Sequence, residues 1–170
     1  MRVVVHGDDF TFTGVKEELM AMKKLMMQWY DIKDRGIMGS GEDEIKQVTI
    51  LGRELRWLED GLEFEADQAH RRKVMEMEGL SEDSKAAPGP AVREDGTERE
   101  WAGDELGGME AREFRSGAAS MNYLGLDRSD IQYAVKEICQ GMAKPTVGGK
   151  AKIKRVARYL VGAGRLVWKY

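Results

Sequence analysis

The sequence predicts an α+β fold, and three observations carry that prediction. The chain opens on short β-branched and aromatic runs at hairpin spacing. It returns to strand-like patterning between Gln47 and Ala66, and its last third holds apolar residues at helical spacing. Strands gathered early and helices gathered late are the order of an α+β protein rather than of an alternating parallel one. At 170 residues the chain is long enough for one domain, or for a domain with an appendage.

Val3 to Val5 meets His6-Gly7-Asp8-Asp9, and the alternating run Phe10-Thr11-Phe12-Thr13 follows. This predicts a β-hairpin with two adjacent carboxylates, Asp8 and Asp9, at its tip. Unpaired carboxylates on a rigid turn repel each other unless a cation or water covers them. Hard oxygen ligands of this kind suit Mg²⁺, which takes one or two protein carboxylates and completes its shell with water and substrate phosphates. An Asp-Asp hairpin therefore reads as half of a two-metal phosphoryl-transfer site. On these residues alone, a solvated turn is the better reading, because Gly and Asp are ordinary turn residues; the rest of the chain reverses that.

Val15 to Tyr30 predicts an amphipathic helix laid on a sheet, with Val15, Leu19, Met22, Met26 and Trp29 as the core stripe. A short strand is expected over Ile32 to Met38, then a polar loop from Gly39 to Glu44. Gln47 to Trp57 reads as one strand holding Gly52, Leu58 to Gly61 as a turn, and Leu62 to Ala66 as the return strand. Asp67 is a suitable N-cap for a helix to about Glu78, with Val74 and Met77 toward the packing side and His70-Arg71-Arg72-Lys73 as a basic cluster. Residues 80–113 hold Pro88 and Pro90 and many Gly and Glu, which predicts an acidic loop or disordered insert.

Two helices close the chain. Ile131, Ala134, Val135, Ile138 and Met142 form one stripe; Ile153, Val156, Ala157, Leu160 and Val161 form the other, with Lys154, Arg155 and Arg158 off it. Pro145 separates them. Val161-Gly162-Ala163-Gly164 ends the second helix, and Leu166-Val167-Trp168 begins a strand.

The formal net charge of −3 argues against a generic nucleic-acid binder, but the distribution is uneven. From Gly141 to Tyr170 there are eight basic residues and no acidic one, a pattern of either a polyanion-facing surface or a solvated basic helix face. The single Cys139 falls on an apolar stripe, which predicts a buried reduced thiol. No Cys/His cluster has zinc spacing, and no apolar run approaches membrane-spanning length, so no membrane partner is expected. A reducing compartment, cytoplasmic or nuclear, is expected.

Four blocks in order resemble the reverse transcriptase of copia-type long-terminal-repeat retrotransposons, from the catalytic hairpin toward the ribonuclease H domain. His6-Gly7-Asp8-Asp9 stands where that family has Tyr-x-Asp-Asp. Ile50-Leu51-Gly52-Arg53-Glu54-Leu55 is similar to its Phe-Leu-Gly-Ile-Glu-Ile strand, and Gly61 to Gln68 to its Gly-x-aliphatic-x-aliphatic-Ser-Gln segment. Phe114-Arg115-Ser116 through Tyr123-Leu124, Arg128 to Val135, and Arg158-Tyr159-Leu160-Val161-Gly162 match Tyr-Arg-Ser…Tyr-Leu, Thr-Arg-Pro-Asp-Ile-x-Tyr-Ala-Val and Arg-Tyr-Leu-x-Gly-Thr. The resemblance implies the C-terminal part of a polymerase palm over 1–66, a thumb-like helix over 67–79, an acidic variable loop over 80–113, and a helical connection region over 114–170.

The resemblance also implies an RNA-directed DNA polymerase using Mg²⁺, with Mn²⁺ as a substitute, and assigns Asp8 as principal metal ligand with Asp9 beside it. RNA template and DNA primer are the implied partners, with the polyprotein's fingers and earlier palm upstream and its ribonuclease H downstream; an intact element would package the protein in a virus-like particle. His6 replaces the motif's Tyr, which reads as altered primer positioning, as a decayed copy, or as a metal ligand. Ile50 to Ala66 corresponds to the primer grip. There Gly52 allows close backbone approach or marks a bulge, and Arg53 contacts a phosphate or points to solvent. Lys154, Arg155 and Arg158 are expected along the hybrid. The family's other catalytic Asp belongs to an earlier strand, so the chain alone is expected not to polymerise DNA. A non-catalytic nucleic-acid-binding remnant and a protein-interaction scaffold are the competing classes.

Overall fold

β-Branched and aromatic residues on either side of Gly7-Asp8 build the first hairpin. β1 (Arg2–His6) pairs antiparallel with β2 (Asp9–Thr13), Val3 opposite Phe12 and His6 opposite Asp9. The computed structural model describes residues 1–91 and 103–170. Gly7 takes φ +61° at the first central position of the two-residue turn, the conformation a type II′ turn asks of glycine. α1 (Lys16–Trp29) follows, with Glu17 and Glu18 in its first turn, where the helix dipole favours them.

The apolar stripe expected of α1 is half-covered at Leu19, Met22 and Met26, while Val15 and Trp29 stay exposed. No residue of α1 is buried, and Trp29 is 66% exposed. A two-stranded hairpin offers too little apolar area to cover a helix, and β1 itself is exposed throughout. Nor do residues 32–38 form a strand: Met38 makes only an isolated parallel bridge to Ile45. The chain divides into two compact units, Met1–Ile37 and Met38–Tyr170.

In the second unit the segment read as one strand, Gln47 to Trp57, is two. β3 (Gln47–Ile50) and β4 (Arg53–Leu58) pair antiparallel across the turn Leu51-Gly52. Both turn residues have positive φ, +50° and +80°, the pattern of a type I′ turn. Leucine is an unusual residue there, so the apolar pattern runs through the reversal without a break. The Leu51 carbonyl accepts the Tyr123 hydroxyl at 3.1 Å, a tertiary bond that holds the turn. β5 (Gly61–Glu65) pairs with β4, and β6 (Val167–Lys169) pairs with β5, giving an antiparallel sheet in the order β3-β4-β5-β6.

Asp67 caps α2 (Gln68–Met77), its carboxylate accepting the Ala69 N–H at 2.7 Å. Val74 is buried as its spacing predicts. The second core residue of α2 is Met75, 3% exposed, and not Met77 at 38%. α3 (Gly108–Gly125) begins before Phe114, inside the segment expected to be loop, because Met109, Glu110 and Arg112 suit a helix as well as a loop. Residues 92–102 of that segment lie outside the described residues. α4 (Gln132–Gln140) and α5 (Val147–Gly162) follow their stripes, and Thr146 caps α5 by accepting the Gly149 N–H at 3.1 Å.

The core lies among α2 to α5. Val74, Phe114, Met121, Leu124, Ile138, Val156 and Leu160 pack into one cluster, each under 3% exposed. Burial of such side chains contributes about 1.5–3 kcal/mol each before entropy is subtracted. Among the described strand residues only Glu65 is buried, so the sheet joins the helices through polar links rather than a shared apolar layer. Among the described residues two antiparallel sheets and five helices make the fold α+β, as expected.

Candidate functional site

The hairpin turn places Asp8 at the second central position and Asp9 at the first position of β2, opposite His6. The turn backbone fixes their spacing. All three residues are exposed, and among the described residues neither carboxylate has an ion-pair or side-chain hydrogen-bond partner. Two exposed carboxylates with no internal cation fit the donor set that Mg²⁺ takes from a protein. Among the described residues no group of three or more His, Cys, Asp or Glu is placed to hold a metal ion, so further ligands would be water, substrate or groups outside them.

Gly52 and Arg53 sit on and beside the β3–β4 turn. A Cβ on Gly52 would lie 2.2 Å from Asp67 Oδ2, so the close approach this glycine permits is to the cap of α2. Arg53 is engaged within the protein. Its Nε donates to Asp127 Oδ2 at 2.6 Å, its Nη1 donates to the Tyr123 hydroxyl at 3.3 Å, and its guanidinium lies 5.2 Å from the Tyr123 ring centre. His70 packs on the other ring contact of Tyr123, with centroids 4.3 Å apart.

The basic C-terminal run is partly neutralised by the acidic part of the chain. Lys150 pairs with Glu110 at 3.3 Å, Lys169 with Asp60 at 3.4 Å, Arg165 with Glu65 at 2.8 Å, and Lys144 with Glu105. Lys154, Arg155 and Arg158 are the ones brought together, around a groove that Lys85 joins from the 80–91 segment. The helical spacing of α5 has no signal for Lys85. The basic cluster read at 70–73 is divided: Arg71 is buried, donating Nε to the Leu160 carbonyl at 3.0 Å and both terminal nitrogens to Glu82 at 2.7 Å.

Two buried ionic groups were not visible in the sequence as sites. Glu65, 2% exposed, accepts from Arg56 at 2.8 Å, from Arg165 at 2.8 and 3.0 Å, and from Gln68 at 3.0 Å. Burial alone pushes its carboxyl up; hydrogen bonds from Arg165 and Arg56 outweigh that and hold it below the usual range. Arg128, 1% exposed, grips Asp130 with Nε at 2.9 Å and Nη2 at 2.7 Å, and Tyr159 donates to the same carboxylate at 3.0 Å. Asp130 likewise is pushed up by burial and brought below its ordinary value by Arg128 and Tyr159. Arg128-Ser129-Asp130 and Arg158-Tyr159-Leu160, separate motif blocks in the sequence, thus meet in one cluster. Cys139 is half-buried on α4, and that burial pushes its thiol up.

One curated relative shares 46% identity over 50 residues: an uncharacterized mitochondrial protein of Arabidopsis thaliana, AtMg00810. The match covers 29% of this chain and spans only 21% of that relative's length. The likeness carries no catalytic detail. No protein-family model matches the chain. No solved structure matches it. Among the described residues no helix is long and apolar enough to cross a membrane.

Proposed function

We propose that the chain is part of the RNA-directed DNA polymerase of a copia-type retrotransposon, with Asp8 and Asp9 as the metal-binding carboxylates of nucleotidyl transfer. The observation that supports this reading furthest is the hairpin: two adjacent, exposed carboxylates at a glycine-opened turn, with no side-chain cation of their own among the described residues. Mg²⁺, or Mn²⁺ in its place, supplies charge stabilisation at the reacting phosphate when bound. The chain's own part is to hold the ligands. Asp9 is set by the β1–β2 ladder and Asp8 by the turn, while His6 stands opposite Asp9; we assign His6 to the primer end. Lys154, Arg155 and Arg158 serve the RNA–DNA hybrid, and the remaining catalytic carboxylate comes from elsewhere in the polyprotein.

A second reading, a non-catalytic nucleic-acid-binding remnant of such a polyprotein, is favoured by the lack of a third metal-ligating side chain among the described residues. Paramagnetic Mn²⁺ separates the two. With hybrid present, amide resonances around His6 to Phe10 are expected to broaden in the wild type and not in Asp8→Asn/Asp9→Asn. Broadening elsewhere only, or none, overturns the metal assignment and leaves the second reading. Primer extension on an RNA template adds a check on chemistry: extension that persists in Asp8→Ala/Asp9→Ala removes these residues from catalysis.

A further inference from the structure

Four cations of this chain line one groove, and among the described residues none of them has a carboxylate to pair with. The segment Lys85 to Pro88 runs along α5 as a strap. The Ala87 N–H donates to the Arg158 carbonyl at 3.1 Å, and Arg158 Nε donates back to the Lys85 carbonyl at 2.9 Å. Gly162 permits the strap's close approach, since a Cβ there would lie 2.8 Å from Ala86 Cβ. Between strap and helix lies an open groove of about 340 Å³, lined by Lys85, Lys154, Arg155 and Arg158 together with small apolar side chains such as Pro88 and Ala151.

Lys144, Lys150, Arg165 and Lys169 find acidic partners; among the described residues the four groove cations make no ion pair, and neither does Lys152. Glu78 feels the charge of Lys154 but forms no ion pair with it. Arg155 Nε is buried and has no hydrogen-bond partner among the described residues, a donor whose desolvation nothing there offsets. In a chain of net charge −3 such a concentration of positive charge is not a consequence of composition.

We infer that this groove binds the phosphodiester backbone of a nucleic-acid strand, the four cations facing phosphates and the alanine and proline lining facing the sugar. The inference rests on the nucleic-acid reading above and sharpens it to one place, adding Lys85. A lone inorganic anion would leave the apolar lining without a partner. A membrane surface calls for projecting apolar side chains, whereas these line a recess. Lys154 and Arg158 stand one helical turn apart, about 6 Å of rise, so they suit successive charges along a strand rather than one point charge.

Fluorescence anisotropy of a labelled RNA–DNA hybrid with the full chain, over a salt series, tests this. Lys85→Ala/Arg155→Ala is expected to weaken binding about tenfold at low salt and to make the salt slope shallower by about 1 per cation removed. Lys33→Ala/Lys136→Ala, the same charge change elsewhere, is expected to leave binding within about twofold, and matching thermal melts show that the groove variant is folded. Equal losses in both double variants overturn the groove in favour of diffuse charge. Full binding by the groove variant overturns the groove while the nucleic-acid reading stands. No binding by the wild type at low salt overturns both.

Discussion

Arg53 at the start of β4 donates its Nε to the Asp127 carboxylate at 2.6 Å, joining residues 74 positions apart. The Asp127 carbonyl in turn accepts Trp168 Nε1 of β6 at 2.9 Å. The turn after α3 therefore holds the sheet at two strands. Since the strands bury no apolar side chain among the described residues, these bonds carry much of the attachment. Arg53→Ala and Asp127→Ala are each expected to cost about 1–3 kcal/mol in urea denaturation, and the double variant less than their sum. A loss of hybrid binding by Arg53→Ala without loss of stability would instead return Arg53 to the phosphate contact its motif implies.

Gly52→Ala places a methyl group 2.2 Å from Asp67 Oδ2 at a residue with φ +80°. Turn and helix cap would both have to shift. A loss of about 2 kcal/mol or more is expected, larger than for an ordinary Gly→Ala change at positive φ. A variant as stable as the wild type would show that the Asp67 side chain moves aside freely.

Acid should loosen the helix–sheet junction first. Glu65 and Asp130 have folded pKa values below their ordinary 4.5 and 3.8, so they contribute stability that is complete above those values and is lost as pH falls through the depressed ones. Denaturation midpoints measured from pH 6 downward are expected to fall in that window. Glu65→Gln is expected to flatten the fall while lowering stability at pH 7, because Arg56 and Arg165 lose their charged partner.

Glu78 works in the opposite sense. Burial raises its pKa above the ordinary 4.5, so its favourable contribution is complete below that value and is lost as pH rises through the folded one. Glu78→Gln is therefore expected to raise the thermal midpoint at pH 7 and to leave it nearly unchanged at pH 4. A lower midpoint at pH 7 would show that attraction to Lys150 and Lys154 outweighs burial.

Local chemistry was legible where one element decides its own form. Asp67 and Ala69 make a cap from residues two apart, and the α4 and α5 stripes select Ile138, Val156 and Leu160 because helical periodicity aligns them. The first hairpin was legible for the same reason, since Gly7 sits where the turn demands it. The second was not. Leu51 at positive φ contradicts local preference, and Tyr123, far along the chain, supports it. In α1 the stripe named the half-buried residues Leu19, Met22 and Met26, but periodicity alone did not tell that none of them is fully buried.

By itself the sequence determined the α+β class, the Asp8-Asp9 turn, the cap of α2 and the core faces of the last two helices. Each depends on backbone periodicity or on hydrogen bonds between near neighbours. Only tertiary structure decided that β6 completes the sheet beside β5, that Glu65 is buried between Arg56 and Arg165, and that Lys85 joins Arg155 at one groove. Those juxtapositions span long stretches of chain. They arise from the packing of α2 to α5 as a whole, which brings together charges that no local pattern relates.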